Sequence, residues 1–188
     1  MRRTGYRGVA VLIRLVLVVA VLLSGMAPAR AGLAASAQQV LSEAQAKAGF
    51  LYNCAMFVSW PPSAATRELV IGVIGDDAVA ALVRDMQGEK VDGRTLRVAP
   101  VRANENLARF HILFIAGEDS ASIKAVLDKV GSAPVLTVGE IDDFTADGGA
   151  VRLFTDQGRL RFEINMTRVE RASLKVSAKM LGLARIVR

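Results

Sequence analysis

His111 and Cys54 are the only histidine and the only cysteine in a chain of 188 residues, and this limits the chemistry open to it. One imidazole and one thiol are too few soft ligands for a zinc site unless carboxylates complete it. A Cys–His nucleophile pair would require the two to meet in the fold. Cys54, however, lies among Phe50, Phe57 and Val58, with no electropositive, exposed setting that would favour the thiolate. Burial as a small hydrophobe is the expectation for it. His111 opens the apolar run Ile112-Leu113-Phe114-Ile115 and reads as a hydrogen-bonded residue of the core or a pocket edge rather than a catalyst.

Two acidic motifs are weak. Glu140, Asp142, Asp143 and Asp147 lack the ordered oxygen-ligand spacing of a calcium loop. Val73-Ile74-Gly75-Asp76-Asp77 sits where α/β proteins place ligands, at the carboxyl end of a strand. It has neither the lysine of a phosphate loop nor the three-glycine dinucleotide pattern. A solvated loop and a turn with an aspartate helix cap are expected. No catalytic set, metal site or cofactor is assigned, and the chain reads as a non-enzyme.

Two constellations carry more. Arg152, Arg161, Glu163 and Asn165 should share the polar face of a hairpin. Cross-strand ion pairing, worth about 0.2–1 kcal/mol per pair, is the plainer reading. The alternative is a site for a partner loop or a zwitterionic ligand such as an amino acid or cell-wall fragment, which would make the chain a small-ligand sensor. Arg168, Arg171, Lys175 and Lys179 step by three, four and four, and Arg185 and Arg188 extend the charge. A solvated helix face explains them; docking to an acidic partner or anionic headgroups is the functional alternative. The candidate binding residues are therefore Arg152, Arg161, Glu163, Asn165, Arg171, Lys175 and Lys179.

The elements that must position these groups follow from hydrophobic periodicity. Ala44, Ala48, Leu51, Ala55 and Val58 recur at helical spacing within Ser36 to Trp60, and Pro61-Pro62 ends that helix. Leu69 to Ile74, Phe110 to Ile115 and Pro134 to Val138 are continuous apolar runs, as strands buried on both faces require. A further strand is expected from Thr95 to Val101, with helices over Ala78 to Met86 and Ser120 to Val130. Ala150 to Thr155 and Arg159 to Asn165 alternate around Asp156-Gln157-Gly158, the mark of a hairpin. Thr167-x-x-Glu170 reads as a capping box opening a last helix. The expected fold is one three-layer α/β domain, with a mixed, mostly parallel sheet and a C-terminal β-hairpin and helix.

The N-terminus carries an export pattern. Arg2, Arg3, Arg7 and Arg14 precede the apolar run Leu15 to Leu23, followed by Ala27-Pro28-Ala29-Arg30-Ala31. This is the layout of a signal peptide, residues 1–31, with Ala35-Ser36-Ala37 offering a later cleavage point and residues 38–188 the domain. An uncleaved anchor is the rival, disfavoured because the clean run is short of the roughly 20 residues of a membrane span. Residues 1–31 hold five arginines and no acid, so their removal takes the net charge from +6 to +1. The high pI then belongs to the leader, and nucleic-acid binding loses its support.

Read as blocks, the chain resembles the YfiR family of periplasmic proteins. The resemblance runs through Lys47-Ala48-Gly49-Phe50-Leu51-Tyr52-Asn53, Phe57-Val58-Ser59-Trp60-Pro61, Leu69 to Asp77, His111 to Ile115 and Pro134 to Gly139. It continues in Gly148 to Phe154, Arg161 to Asn165 and Leu174 to Leu181. It implies a binding regulator that represses a membrane diguanylate cyclase through the cyclase's periplasmic sensor domain. Cyclic-di-GMP and biofilm formation would fall as a result. It also implies an outer-membrane lipoprotein that sequesters the repressor, and leaves a homodimer open. Better-known members place a disulfide cysteine just before the His-Ile-Leu strand, where this chain has Phe110, so disulfide control is not carried over.

Overall fold

The computed structural model describes residues 28–102 and 104–188; Arg2 to Leu23, the charged and apolar parts of the export signal, lie outside the described residues. The chain divides into a unit ending at Ser42 and a larger one, Glu43–Arg188. In chain order the elements are α1 (Pro28–Phe57), β1 (Val58–Ser59), β2 (Glu68–Ile74), α2 (Asp77–Asp85), β3 (Lys90–Val91) and β4 (Arg94–Val98). They continue with β5 (Ile112–Ile115), α3 (Ser120–Val130), β6 (Leu136–Gly139), β7 (Val151–Asp156) and β8 (Arg159–Asn165). The last are α4 (Met166–Arg171), β9 (Lys175–Val176), α5 (Ala178–Leu181) and β10 (Arg185–Val187).

The apolar runs expected as core strands form the middle of the sheet. Its order is β10-β8-β7-β6-β5-β2-β4-β3. From β4 to β7 every pairing is parallel, while β7–β8 and β3–β4 are antiparallel hairpins. Strand alternation divides the core into two layers. Leu69, Ile71, Ile112, Phe114, Leu136, Val138, Val151 and Leu153 pack with Ala48, Leu51 and Ala55 of α1 and Val79 and Val83 of α2. On the other face Leu113, Ile115 and Phe110 meet Ile123, Leu127 and Val130 of α3, together with Phe144. The result is the expected three-layer arrangement. Among the described residues, no helix is long and apolar enough to cross a membrane.

Helix starts are set by short polar side chains. Asp76 Oδ1 accepts from Val79 N–H at 2.9 Å, and Asp119 accepts from Ala121 and Ser122 N–H at the head of α3. The Gly75-Asp76-Asp77 motif thus acts as a turn and cap. Gly75 has φ +80°, and a Cβ there would run into the Ala116 carbonyl oxygen. The loops after β2 and β5 therefore meet at the topological switch point, where open α/β sheets otherwise leave a ligand crevice.

The C-terminal region corrects one expectation. No single helix runs from Thr167 onward: α4 stops at Arg171, Ser173 takes φ +56°, and Lys175–Val176 leaves as a strand. That strand pairs antiparallel with β1, Val58 opposite Val176 and Ser59 opposite Lys175. The expected capping box fails too. Asn165 Oδ1 accepts from Arg168 N–H at 2.9 Å, so the helix begins one turn-forming residue before Thr167. The basic residues Arg168, Arg171, Lys175 and Lys179 therefore do not form one helical stripe.

Candidate partner-binding surface

The hairpin face does assemble as its alternation implies. Arg152 lies opposite Glu163, and Phe154 opposite Arg161. Arg185 of β10 pairs with Glu163 from the other side. Glu163 Oε1 accepts from Thr145 Oγ1 at 2.6 Å and from Arg152 Nε at 3.1 Å, while Arg185 approaches Oε2 at 3.8 Å. Arg152 also reaches Asp142 at 2.7 Å. Burial pushes the Glu163 carboxyl up, but the hydrogen bonds from Thr145 and Arg152 and the charges of Arg152 and Arg185 outweigh it. The carboxyl is held below the usual carboxylate range. Asn165 Nδ2 donates to the Thr145 carbonyl at 2.8 Å while its oxygen caps α4.

This network is closed on itself. Arg152, Glu163 and Asn165 spend their polar atoms tying β7, β8 and the Thr145 loop together, so the cross-strand ion-pair reading fits better than a pocket for a zwitterion. Arg161 stands apart, exposed on the same face. Arg152 and Arg185 flank the Phe154 ring, their guanidinium carbons 5.0 and 4.9 Å from its centroid. The acidic loop after β6 is also committed: Glu140 pairs with buried Lys47 at 2.8 Å, and Asp142 with Arg152.

Within that loop Phe144 is fully buried, and a Cβ on Gly139 or Gly149 would overlap its ring. The two glycines let the loop fold back on the sheet. His111 is buried as expected: Val70 N–H donates to Nδ1 at 3.0 Å, and Nε2 donates to the Ala64 carbonyl at 2.9 Å. Cys54 is fully buried in the α1 core, and burial pushes its thiol far up. Among the described residues no group of three or more His, Cys, Asp or Glu could hold a metal ion.

One edge of the sheet is a strand that the sequence did not reveal. β10 is the outermost strand, paired only to β8. Leu183 is 71% exposed and Ile186 43%, two of the three large apolar side chains in the open among the described residues. Arg185 and Arg188 flank them, and Arg171, Lys175 and Lys179 are exposed on the preceding elements. Lys179 Nζ lies 5.2 Å from the Phe57 ring centroid, linking α5 to the end of α1. The run Leu183-Ala184-Arg185-Ile186-Val187-Arg188 has no period of two and is too short to distinguish a strand from a tail.

The β10 edge thus combines an unpaired strand with exposed apolar and basic side chains. The chain belongs to the YfiR/HmsC-like family (DUF4154), whose model matches residues 44–185. That is a family of periplasmic regulatory proteins rather than enzymes. No curated protein matches the chain. Among solved structures it is similar to a conserved domain protein from Vibrio cholerae O1 biovar El Tor str. N16961. That match has 12% identity and TM-score 0.43, covering 65% of this chain and 55% of that one. It is also similar to the ABC domain from Streptococcus pneumoniae in complex with L-Trp, at 11% identity and TM-score 0.44, covering 63% and 55%. The chain thus spans about half the length of each of these structures.

Proposed function

We propose that this protein is exported to the periplasm by residues 1–31, with cleavage as late as residue 37 as the variant, and acts there as a repressor. Its target is the periplasmic sensor domain of a membrane-bound diguanylate cyclase, and its output is lower cyclic-di-GMP and less biofilm. The supporting observation is the open β10 edge, where Leu183 and Ile186 are exposed beside Arg185 and Arg188 in the chain, and Arg171, Lys175 and Lys179 are exposed on the elements before it. Such an edge can take a strand from a partner by main-chain hydrogen bonding, with the two apolar side chains as anchors and the cations selecting an acidic surface. An outer-membrane lipoprotein competing for the same edge would relieve repression. The closed Arg152–Glu163–Asn165 network serves this reading as a brace holding β8 and β10 in register.

Deleting the gene should raise cyclic-di-GMP and surface attachment, and the tagged mature protein should copurify a membrane cyclase from solubilised envelopes. Unchanged cyclic-di-GMP in the deletion strain, with no signalling protein recovered, would sink the reading.

A further inference from the structure

A groove of about 420 Å³ runs between α1 and α2, away from the β10 edge. Its floor is apolar, made by Ala48, Gly49 and Tyr52 of α1 and by Leu82 and Met86 on the α2 side. Gln45, Asp85 and Glu89 complete the wall. We propose that this groove binds a small organic cation, an alkyl or aryl amine whose apolar body lies on the floor and whose ammonium meets Asp85 and Glu89.

Three observations carry this. The first is Gly49. A glycine inside a helix is unfavourable relative to alanine, so it needs a packing reason. Among the described residues there is none: a Cβ at Gly49 would meet nothing within 4 Å. The missing side chain keeps open the floor of a groove that none of the described residues fills, which suits close approach by something from outside.

The second is charge. Asp85 and Glu89 form no ion pair among the described residues. Asp85 ends α2, where the helix dipole is itself negative, so a carboxylate there is unfavourable for the helix and adds to the field at the rim. The neighbouring cations are engaged elsewhere. Arg84 Nε donates to the Ala80 carbonyl on another side of the helix, and Lys90 Nζ donates to Thr95 Oγ1. Neither lines the groove, so the charged side chains that a cation would meet there are both acidic.

The third is size and lining. The volume falls within the range of small-molecule sites, and an apolar floor with a few convergent polar groups is their usual makeup. α1 presents its groove residues from Gln45 to Tyr52, a span of about 10 Å at 1.5 Å per residue, enough for one small molecule and too short for a docked helix.

The test uses the mature protein with phenethylamine and hexylamine as probes, and 2-phenylethanol as the uncharged counterpart, read by calorimetry and by amide chemical shifts. At least one amine should bind saturably, shifting amides of Ala48–Tyr52 and Leu82–Glu89, with the alcohol at least tenfold weaker. D85N/E89Q should weaken the amine at least tenfold. G49L, which places a side chain in the open groove, should abolish binding while the protein keeps its melting temperature. No saturable binding by either amine, equal binding of the alcohol, or full binding by a folded G49L protein would each overturn the proposal. Loss of cyclase-domain binding in G49L without amine binding would hand the groove to a protein partner and overturn it as well. Failure here leaves the β10 edge untouched, since that surface is read by partner capture and not by amine binding.

Discussion

Trp60 Nε1 donates to the carbonyl oxygen of His111 at 3.2 Å, and the two rings meet edge to face with centroids 5.6 Å apart. Through this pair the segment leaving α1 is fastened to the first turn of β5. The imidazole is in turn held by the Val70 amide and the Ala64 carbonyl, so it is fixed as the neutral tautomer with its proton on Nε2.

This fixes the sign of a pH effect. Burial lowers the His111 pKa first, and the Arg94 charge adds to it, against the opposing hydrogen bond to Ala64. With the folded value below the ordinary 6.5, protonation favours the unfolded chain. The stabilisation is fully present above pH ~6.5 and is lost as pH falls below it. Melting temperatures from pH 8 to pH 5 should decline over the lower half of that range in the parent protein. H111A should flatten this decline and cost roughly 1–3 kcal/mol at pH 8 by leaving the part-buried Val70 amide unpaired.

Arg168 is 5% exposed, and among the described residues neither of its terminal guanidinium nitrogens has a hydrogen-bond partner. Burial, with Arg171 beside it, disfavours its charged form. Removing an unpaired buried charge in favour of an apolar side chain of similar volume stabilises. R168M should therefore raise stability by about 1–3 kcal/mol in urea unfolding, and an R168M protein that unfolds at lower urea than the parent would refute this account.

The Phe144 seat makes a paired prediction. G149A or G139A should each cost about 1–3 kcal/mol, because the added methyl strikes the ring in a filled core. The double variant G149A/F144L should recover part of that loss, as contacting residues do in a double-mutant cycle. Thermal denaturation of the parent, G149A, F144L and the double variant measures the coupling, with G139A read beside them.

At the β10 edge the expected split is between stability and binding. L183D and I186D alter exposed side chains and should shift stability by no more than about 0.5 kcal/mol. In a pull-down with the cyclase's periplasmic domain, the same substitutions should weaken binding at least tenfold. E163Q, which disturbs the brace behind the edge, should weaken it less and destabilise more.

The sequence exposed the sheet where burial is symmetric. Leu69 to Ile74 and Ile112 to Ile115 are flanked by layers on both faces, so their apolar runs have no competing period. α3 occupies Ser120–Val130, as its periodicity indicated, because Asp119 caps it and Gly131 ends it locally. The region after Asn165 was opaque because non-local pairing overrides local preference there. Lys175 and Val176 carry helical spacing with Arg171 and Lys179, yet they are drawn into a ladder by Ser59 and Val58, residues from the start of the domain. For the binding surface, alternation put Arg152, Glu163 and Asn165 on one face, but it could not reveal that Thr145 and Asp142 arrive to neutralise them. Arg171, Lys175 and Lys179 are exposed, although on three separate elements rather than one helix.

The two-residue ladder of β1 and β9, extended by the Ser177 amide bonding to the Phe57 carbonyl, works as a clasp. It can close only once the chain's far end has been delivered, since forming so distant a contact carries a loop-closure cost that its few hydrogen bonds barely offset. The clasp is therefore expected to engage late in folding, after the intervening strands have brought Lys175 and Val176 back to Ser59 and Val58. A partner that grips the chain beyond it would hold a handle whose release frees Phe57, Val58 and Ser59, at the end of the long helix, from Lys175 to Ser177.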